Sequence, residues 1–302
     1  MAGIAAKAAE IAAGQVASGS GLYFRIEREV PNGPTSKAQA ETVNRVAATK
    51  PDGILVALNP GEEMDAAIKK ASAAGVPMVC LWQDSPKSGR LVACAPNDVA
   101  MGEELARQLL DARKSMTSGK VAVLSLNAKA DSLQARVQGI RRHIKSAAPS
   151  VRMMEPLYCD GDPEKAVTVV REALRKNPDI QALILLGDWM QMKSDGLAVV
   201  PKSITIVASD VATETRTALR VGRIARVVAP RSIEAGSSGI YALEQFRRQE
   251  KLEFAAPFDT GFDIIYPDDR SLPIGELRSG IRVFSVGQYD IRWSDWLDKG
   301  TD

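Results

Sequence analysis

Short apolar segments alternate along this chain with longer amphipathic segments, and this alternation limits the possible folds more than any other feature. The segment 52–58 (DGILVAL) is apolar almost throughout, as expected of a strand that is buried on both faces. Strands that alternate with helices of this length form parallel sheets that helices cover on both sides. The chain has too many such units for one compact sheet. The sequence therefore predicts an α/β fold of two doubly wound parallel-sheet lobes joined by a hinge.

Hydrophobic periodicity and capping residues give the bounds of the individual elements. Ser36 is expected to cap the helix that starts there, and Gly75 to end the next helix. The predicted helices span 3–13, 36–49, 61–74, 98–112, 131–147, 163–175, 189–197, 212–221 and 232–249, and the predicted strands span 21–27, 52–58, 76–82, 120–126, 151–157, 181–186, 203–208 and 224–229. Because no low-complexity linker separates the lobes, the crossings between them must be short.

Charge and cysteine content exclude several classes of partner. The 39 Lys and Arg residues nearly balance the 37 Asp and Glu residues, which leaves a net charge of +2. Such a chain has no field that would attract nucleic acid or an anionic membrane surface. Cys80, Cys94 and Cys159 are far apart and form no CxxC pattern, so we expect neither a disulfide framework nor a zinc site.

The sequence carries no recognisable catalytic motif. It lacks GxSxG, GxxxxGK[ST] and HExxH, and its one histidine, His143, lies in a basic helical stretch with no plausible partner. We expect no catalytic residue, no metal site and no cofactor. No apolar run approaches the ~20 residues that span a bilayer, and the N-terminal residues MAGIAAKAAEIAAGQ do not resemble a signal peptide.

The candidate binding residues are those that follow the predicted strands, because ligands of doubly wound sheets bind beyond the carboxyl ends of the strands. They supply aromatic rings, carboxylates, an amide and guanidinium groups, which are the groups that bind the apolar faces and the hydroxyls of sugars. In chain order they are Trp82, Gln83, Arg136, Asp188, Trp189, Asp210 and Arg231.

Five of these candidates also have a purely structural alternative. Trp82 and Trp189 could fill the core or pack against a helix, and Arg136 could be a surface arginine. Asp188 and Asp210 could each cap the helix that follows.

Several segments resemble the periplasmic sugar-binding proteins of the ribose-binding type. The resemblance covers residues 36–266, and the effector domains of LacI-type repressors share its fold. It is carried by the order and spacing of 50–56 (KPDGILV), Asn59-Pro60, 73–79 (AAGVPMV), Asn97-Asp98 with Gly102, 132–139 (SLQARVQG), 176–182 (KNPDIQA) and 206–210 (IVASD). It implies a first lobe of 1–96, 230–256 and 275–302, and a second lobe of 97–229 and 257–268.

The resemblance also implies a function and a location. The protein would be the periplasmic solute-binding protein of an ABC-type importer. As a monomer it would close on a sugar or polyol and present it to a membrane permease. The alternative is a ligand-sensing domain of a transcriptional regulator or chemoreceptor system, and a doubly wound enzyme is a third option. Because no helix-turn-helix precedes the first lobe, transport is favoured.

The resemblance assigns two roles directly and departs from the family pattern elsewhere. Arg136 occupies the place of an arginine that binds sugar hydroxyls, and Asp210 that of a ligand carboxylate. The departures are Trp82-Gln83 in place of an Asp-Arg pair, Gly161 in place of an aromatic residue, Gly187 in place of an asparagine, and Pro230 in place of a glutamine. They imply a pocket that differs from a plain ribose pocket.

The last residues suggest a circular permutation. The family begins with a strand, a loop and a helix start that carries aromatic residues, whereas this chain begins inside that helix. Residues 281–286 could be the missing strand, and Tyr289 and Asp290 would lie in the loop after it. Trp293 and Trp296 would then be the aromatic residues at the ligand. The alternative is a tail that packs its tryptophans on the back of a lobe.

Overall fold

Helices and strands alternate along the computed structural model, which describes residues 25–33, 35–114, 116–252 and 257–267. The helices are α1 (Ser36–Ala47), α2 (Glu62–Ala73), α3 (Asp98–Ala112), α4 (Asp131–Ala147), α5 (Pro163–Lys176), α6 (Thr213–Arg220) and α7 (Ser232–Arg247). The strands are β1 (Ile54–Ala57), β2 (Met78–Leu81), β3 (Val92–Ala95), β4 (Gly119–Ser125), β5 (Val151–Met153), β6 (Leu157–Tyr158), β7 (Ile180–Leu185), β8 (Thr205–Ser209), β9 (Arg226–Pro230), β10 (Phe258–Asp259) and β11 (Phe262–Ile265).

The strands form two sheets. The first has the order β1-β2-β3-β10, and its described pairs are parallel. The second has the order β11-β9-β8-β7-β4-β5, with β6 also paired to β4. Its pairs are parallel except for β11, which runs antiparallel to β9.

Each sheet has an apolar core on both faces. In the first lobe, α1 and α2 pack on one face around Ile68, and α7 packs on the other around Leu243. In the second lobe, α3 and α4 enclose a core around Leu105, and α5 and α6 enclose one around Val170. The predicted architecture of two doubly wound lobes is therefore confirmed.

Hydrogen bonds tie together the segments that cross between the lobes. The Thr260 amide donates to the Ala95 carbonyl at 3.1 Å, and the Arg231 amide donates to the Gly261 carbonyl at 3.2 Å. The Asn97 amide donates to Asp259 Oδ1 at 3.0 Å. These bonds link the segments after β3, β9 and β10 at the hinge.

The segment after β10 is divided between the lobes. The sequence assigned 257–268 to the second lobe, whereas β10 pairs with β3 of the first sheet and β11 joins the second sheet. The crossing between the lobes therefore lies at Thr260 and Gly261. A strand of two residues leaves no periodic pattern, which is why the sequence did not show it.

Some element predictions were wrong. Strand β3 was not predicted, and 151–157 forms two short strands rather than one. The predicted helix 189–197 is absent, and a single 3₁₀ turn occupies Gly196–Val199. Residues 25–27 of the predicted strand 21–27 are not in a strand, and the rest of that segment lies outside the described residues.

The N-cap of helix α1 lies one residue before the predicted cap. Its N-cap is Thr35 rather than Ser36, and Thr35 Oγ1 accepts a hydrogen bond from the Ala38 amide at 3.1 Å. Threonine and serine are both favoured N-cap residues, so the sequence alone did not separate the two.

The outer edge of β1 bonds to a side chain. Gln39 Nε2 donates to the Ala57 carbonyl at 2.7 Å, and Gln39 Oε1 accepts from the Asn59 amide at 2.8 Å. Within the described ranges, no strand lies on this edge. The prediction that 281–286 pairs there concerns residues outside the described part of the chain and stays a prediction.

A proline substitution tests the predicted permutation. Because proline removes a ladder hydrogen bond and is excluded from central strands, Val283→Pro should lower the melting temperature by more than about 10 °C. Ser271→Pro, in the predicted connection, is the matched control and should have little effect. Equal melting temperatures for Val283→Pro, Ser271→Pro and the parent would contradict the permutation.

Candidate functional site

Arg136 lies at the centre of the candidate site. It projects from the second turn of α4, and only 6% of the residue is exposed. Its Nε donates to Asp98 Oδ1 at 2.7 Å, and its Nη1 donates to Ser209 Oγ at 3.4 Å. The alternative of a surface arginine is therefore wrong, because the guanidinium joins the start of α3 to the end of β8.

The Asp98–Arg136 ion pair is buried on both sides. The exposed fractions of the two side chains are 14% for Asp98 and 7% for Arg136. Burial raises the pKa of the Asp98 carboxyl, and the charge and hydrogen bond of Arg136 oppose that rise. A buried carboxylate of this kind depends on its partner, because an unpaired buried charge is costly.

Asp210 follows β8 in a strained conformation. Its φ of 96° lies in the left-handed region, which is uncommon for a residue other than glycine. Its Oδ1 is buried and has no hydrogen-bond partner among the described residues. Helix α6 has Ala212 as its N-cap, so Asp210 does not cap it.

Burial raises the pKa of Asp210 from its ordinary value of 3.8 to about 7. The negative charge of Asp188 raises this pKa further, whereas the positive charge of Arg136 lowers it. The carboxyl is thus an orphaned acceptor beside a cation, and it accepts a proton near neutral pH. A hydrogen-bond donor from outside the protein would compensate for the burial of its Oδ1.

The raised pKa of Asp210 predicts a pH-dependent stability. The folded state binds this proton more tightly than the unfolded state does. The stabilisation that this proton contributes is therefore fully present below about pH 4 and is lost as the pH rises to about 7. Because the residue is half-buried and solvent screens part of the shift, we expect a loss of about 2 kcal/mol.

Urea unfolding of the parent and of Asp210→Asn at pH 5 and pH 8 measures this loss. The difference in unfolding free energy between Asp210→Asn and the parent should be more in favour of the variant at pH 8 than at pH 5. The same pH dependence in both proteins would contradict the assignment.

Asp188 and Trp189 lie at the end of β7. Because no α-helix begins directly after Asp188, it is not a helix N-cap. The Trp189 ring packs against the second-lobe core and remains partly exposed. The ring also lies against Gly187. This contact is compatible with core packing and with ligand contact.

Trp82 belongs to the first-lobe core more than to an open surface. It adopts a φ of 64° and packs against the cluster that contains Leu243. Its indole Nε1 is buried without a hydrogen-bond partner in the part of the chain that the structure describes. These contacts favour the core alternative for Trp82.

Gln83 connects the two lobes. Its Oε1 accepts a hydrogen bond from Ser132 Oγ at 2.9 Å, and its Nε2 donates to the Leu58 carbonyl at 3.3 Å. Ser132 lies in the first turn of α4, in the second lobe. Both ends of the Gln83 amide are therefore engaged within the protein when the lobes are together.

Arg231 forms a bidentate ion pair at the hinge. Its Nε and Nη2 donate to the Asp263 carboxylate at distances between 2.9 and 3.1 Å. The Asp263 side chain is 5% exposed and the Arg231 side chain 35%. The hydrogen bonds that Arg231 donates to the Asp263 carboxylate raise the pKa of Arg231, so this cation is held at the crossing between β9 and α7.

The sequence missed four residues that complete this geometry: Asp98, Ser132, Ser209 and Asp263. Asp98 and Ser132 each lie in a helix first turn, where a polar residue usually indicates only capping. Ser209 is the last residue of β8 and precedes Asp210, so its position at the strand end is the feature that marks it as a candidate. Tyr289, Asp290, Trp293 and Trp296 lie outside the described residues.

Two further observations concern the described residues taken together. Among the described residues, no three His, Cys, Asp or Glu side chains come together as a metal site would require. A search of the same residues finds no helix with the length and apolarity needed to cross a membrane.

Comparison with known proteins gives a consistent result. A family model described as a periplasmic binding protein domain matches residues 4–251. The ribose import binding protein of Escherichia coli strain K12 is 24% identical over 209 residues, covering 68% of this chain and 69% of that protein.

Solved structures share the fold at lower identity. A glucose-galactose binding protein from Geobacillus stearothermophilus has a TM-score of 0.77 and 20% identity, covering 89% of this chain and 94% of that one. An ABC transporter solute-binding protein from Burkholderia graminis, in complex with D-arabinose, has a TM-score of 0.73 and 21% identity, covering 88% and 92%. The resemblance noted in the sequence is confirmed, and the chain belongs to the periplasmic binding protein family.

Proposed function

We propose that this protein binds a sugar between its two lobes and delivers it to the membrane permease of an ABC importer. The observation that carries the proposal is Asp210, whose buried Oδ1 has no described partner and lies beside the cation Arg136. A sugar hydroxyl that donates to this oxygen would satisfy it.

The neighbouring groups complete a polar surface at the end of the second sheet. Arg136 supplies guanidinium donors, and Asp188 supplies a second carboxylate near Asp210. Closely spaced donors and acceptors of this kind match the vicinal hydroxyls of a sugar. The proposal does not need Trp82, Gln83 or Arg231, which already have contacts within the protein.

The mechanism is binding coupled to lobe closure, without a covalent step. A ligand that contacts both lobes favours the state in which they are together, because only that state supplies all of its contacts. The hydrogen bond between Gln83 and Ser132 forms in the same state. The closed, loaded form is the one that we propose the permease recognises.

The relatives support transport of a sugar without fixing which one. The three relatives described above differ in their sugars: one is a ribose import binding protein, one is a glucose-galactose binding protein, and one was solved in complex with D-arabinose. By analogy with the family we place the protein in the periplasm. We also propose that it acts as a monomer.

A thermal-shift screen against pentoses, hexoses and polyols tests the proposal. A ligand at 100 times its Kd stabilises the folded state by about 2.7 kcal/mol, which should raise the melting temperature by several degrees. Asp210→Ala should fold and lose the shift. If no compound in the screen shifts the parent protein, the proposal is wrong.

A further inference from the structure

The first lobe holds the Gln83 amide in a fixed orientation. Gln83 Nε2 donates to the Leu58 carbonyl at 3.3 Å, just after β1, so the nitrogen end of the amide is bound within the first lobe. The next residue, Asp84, accepts hydrogen bonds from Arg90 Nε at 2.6 Å and Nη2 at 2.7 Å. This ion pair closes the loop between β2 and β3 on itself, and it leaves Gln83 Oε1 as the end of the amide that reaches the second lobe.

Two serines attach the same loop to the rest of the first lobe. Ser85 Oγ donates to Asp65 Oδ1 in α2, and Ser88 Oγ donates to the Ser85 carbonyl at 2.7 Å. Both serines are buried. The conformation of the loop therefore depends on first-lobe contacts and not on the second lobe.

The partner of Gln83 is equally well fixed in the second lobe. Ser132 is buried in the first turn of α4, and its Oγ donates to Gln83 Oε1 at 2.9 Å. One turn further along α4, Arg136 is bonded to Asp98 and Ser209. The bond between Gln83 and Ser132 thus joins two well-anchored parts of the lobes, away from the segments that cross at the hinge.

We infer that Gln83 and Ser132 form a latch that populates the closed state of the protein without a ligand. Side chains that are already fixed lose little conformational freedom when they meet. In the open state water would replace the bond, so a hydrogen bond of ordinary net strength raises the ratio of closed to open protein about fivefold. The sugar supplies the remaining free energy of closure.

The latch goes beyond the proposed function, because it concerns the unliganded protein. Gln83 and Ser132 are positioning residues that act through the arrangement of the lobes. A ligand that needs the closed state binds with an apparent Kd equal to its intrinsic Kd divided by the closed fraction. The latch should therefore strengthen the binding of every such ligand by the same factor.

Spin labels on the two lobes measure the closed fraction of the unliganded protein. Glu63→Cys and Glu164→Cys place the labels in the exposed first turns of α2 and α5, at the carboxyl-end edges of the two sheets. The three native cysteines are buried, so the labels attach to the introduced ones. Pulsed electron spin resonance then gives the distances between the lobes and their populations.

The unliganded labelled protein should show a shorter and a longer distance. Ser132→Ala should lower the ratio of the shorter to the longer population about fivefold, because it removes the latch hydroxyl. Alanine is a better helix former than serine, so α4 should stay intact. Ser146→Ala, at an exposed position of the same helix, is the matched control and should leave the populations unchanged.

A double variant tests whether the two residues act through one bond. Gln83→Ala should lower the closed fraction as Ser132→Ala does, and the combination should lower it no further. Additive effects would mean that the residues act separately and would overturn the latch. Equal populations in Ser132→Ala and its parent, or a parent with the longer distance alone, would also overturn it.

Calorimetry with D-ribose, D-glucose and D-galactose separates the latch from a ligand contact. Ser132→Ala should weaken each sugar that binds by one common factor of at most about fivefold. A loss confined to one sugar would mean that Ser132 contacts the ligand, which would overturn the latch. If no sugar binds, the proposed function is contradicted, and the distances in the unliganded protein still decide whether the latch exists.

Discussion

Gly102→Ala or Gly139→Ala should each destabilise the protein by about 3 kcal/mol or more, although neither substitution removes a contact. A Cβ atom on Gly102 would lie closer than 3.0 Å to the Arg136 carbonyl oxygen, and one on Gly139 would lie equally close to the Val99 carbonyl oxygen. Both obstacles are backbone atoms, so α3 and α4 would have to move apart.

The sign of the change in unfolding free energy separates the effect of helix packing from that of helix propensity. Alanine is favoured over glycine inside a helix by about 1 kcal/mol, so the same change at an open helical site would stabilise the protein. Gln138→Ala is the matched control, since Gln138 is exposed next to Gly139. Urea unfolding measures all three variants, and unchanged stability in Gly102→Ala and Gly139→Ala would contradict the close helix packing.

Arg136→Ala should destabilise the protein by about 3–5 kcal/mol, in addition to removing a donor from the proposed site. The loss follows from Asp98, whose carboxylate would remain buried without its partner. A binding defect in this variant alone would therefore be ambiguous, because a partly unfolded protein also fails to bind.

A double variant resolves the ambiguity. Asp98→Asn combined with Arg136→Met removes both charges and preserves the approximate volumes, so most of the stability should return. Sugar binding should remain weakened by tenfold or more, because the guanidinium that we place at the ligand is absent. Parent-like affinity in this double variant would show that Arg136 is only structural.

The apolar pattern was sufficient to predict the lobes but not the details of their crossings. Buried strands such as β7 and long amphipathic helices such as α4 carry strong periodic signals, and α4 was predicted with its observed bounds. The two-residue strand β10 is too short for periodicity to detect. Strand β3 is as long as the predicted strands β1 and β2 and is also fully buried, so its length does not explain why it was not predicted. The short strands and the hinge bonds depend on tertiary contacts that no local pattern encodes.

The candidate site was predictable by position rather than by role. The rule that ligands bind beyond strand ends located Arg136, Asp188, Trp189 and Asp210. It did not separate Gln83, whose amide bonds to both lobes, from residues with open hydrogen-bonding groups. The partners Asp98 and Asp263 were missed because an ion pair between distant segments leaves no sequence spacing to recognise.

Small-angle X-ray scattering of the protein with and without its sugar tests the central claim most directly. Closure of the two lobes on a ligand should reduce the radius of gyration at saturation, and Asp210→Ala should show no reduction at the same sugar concentration. A radius that stays constant while calorimetry shows the parent to be saturated would contradict a site between the lobes.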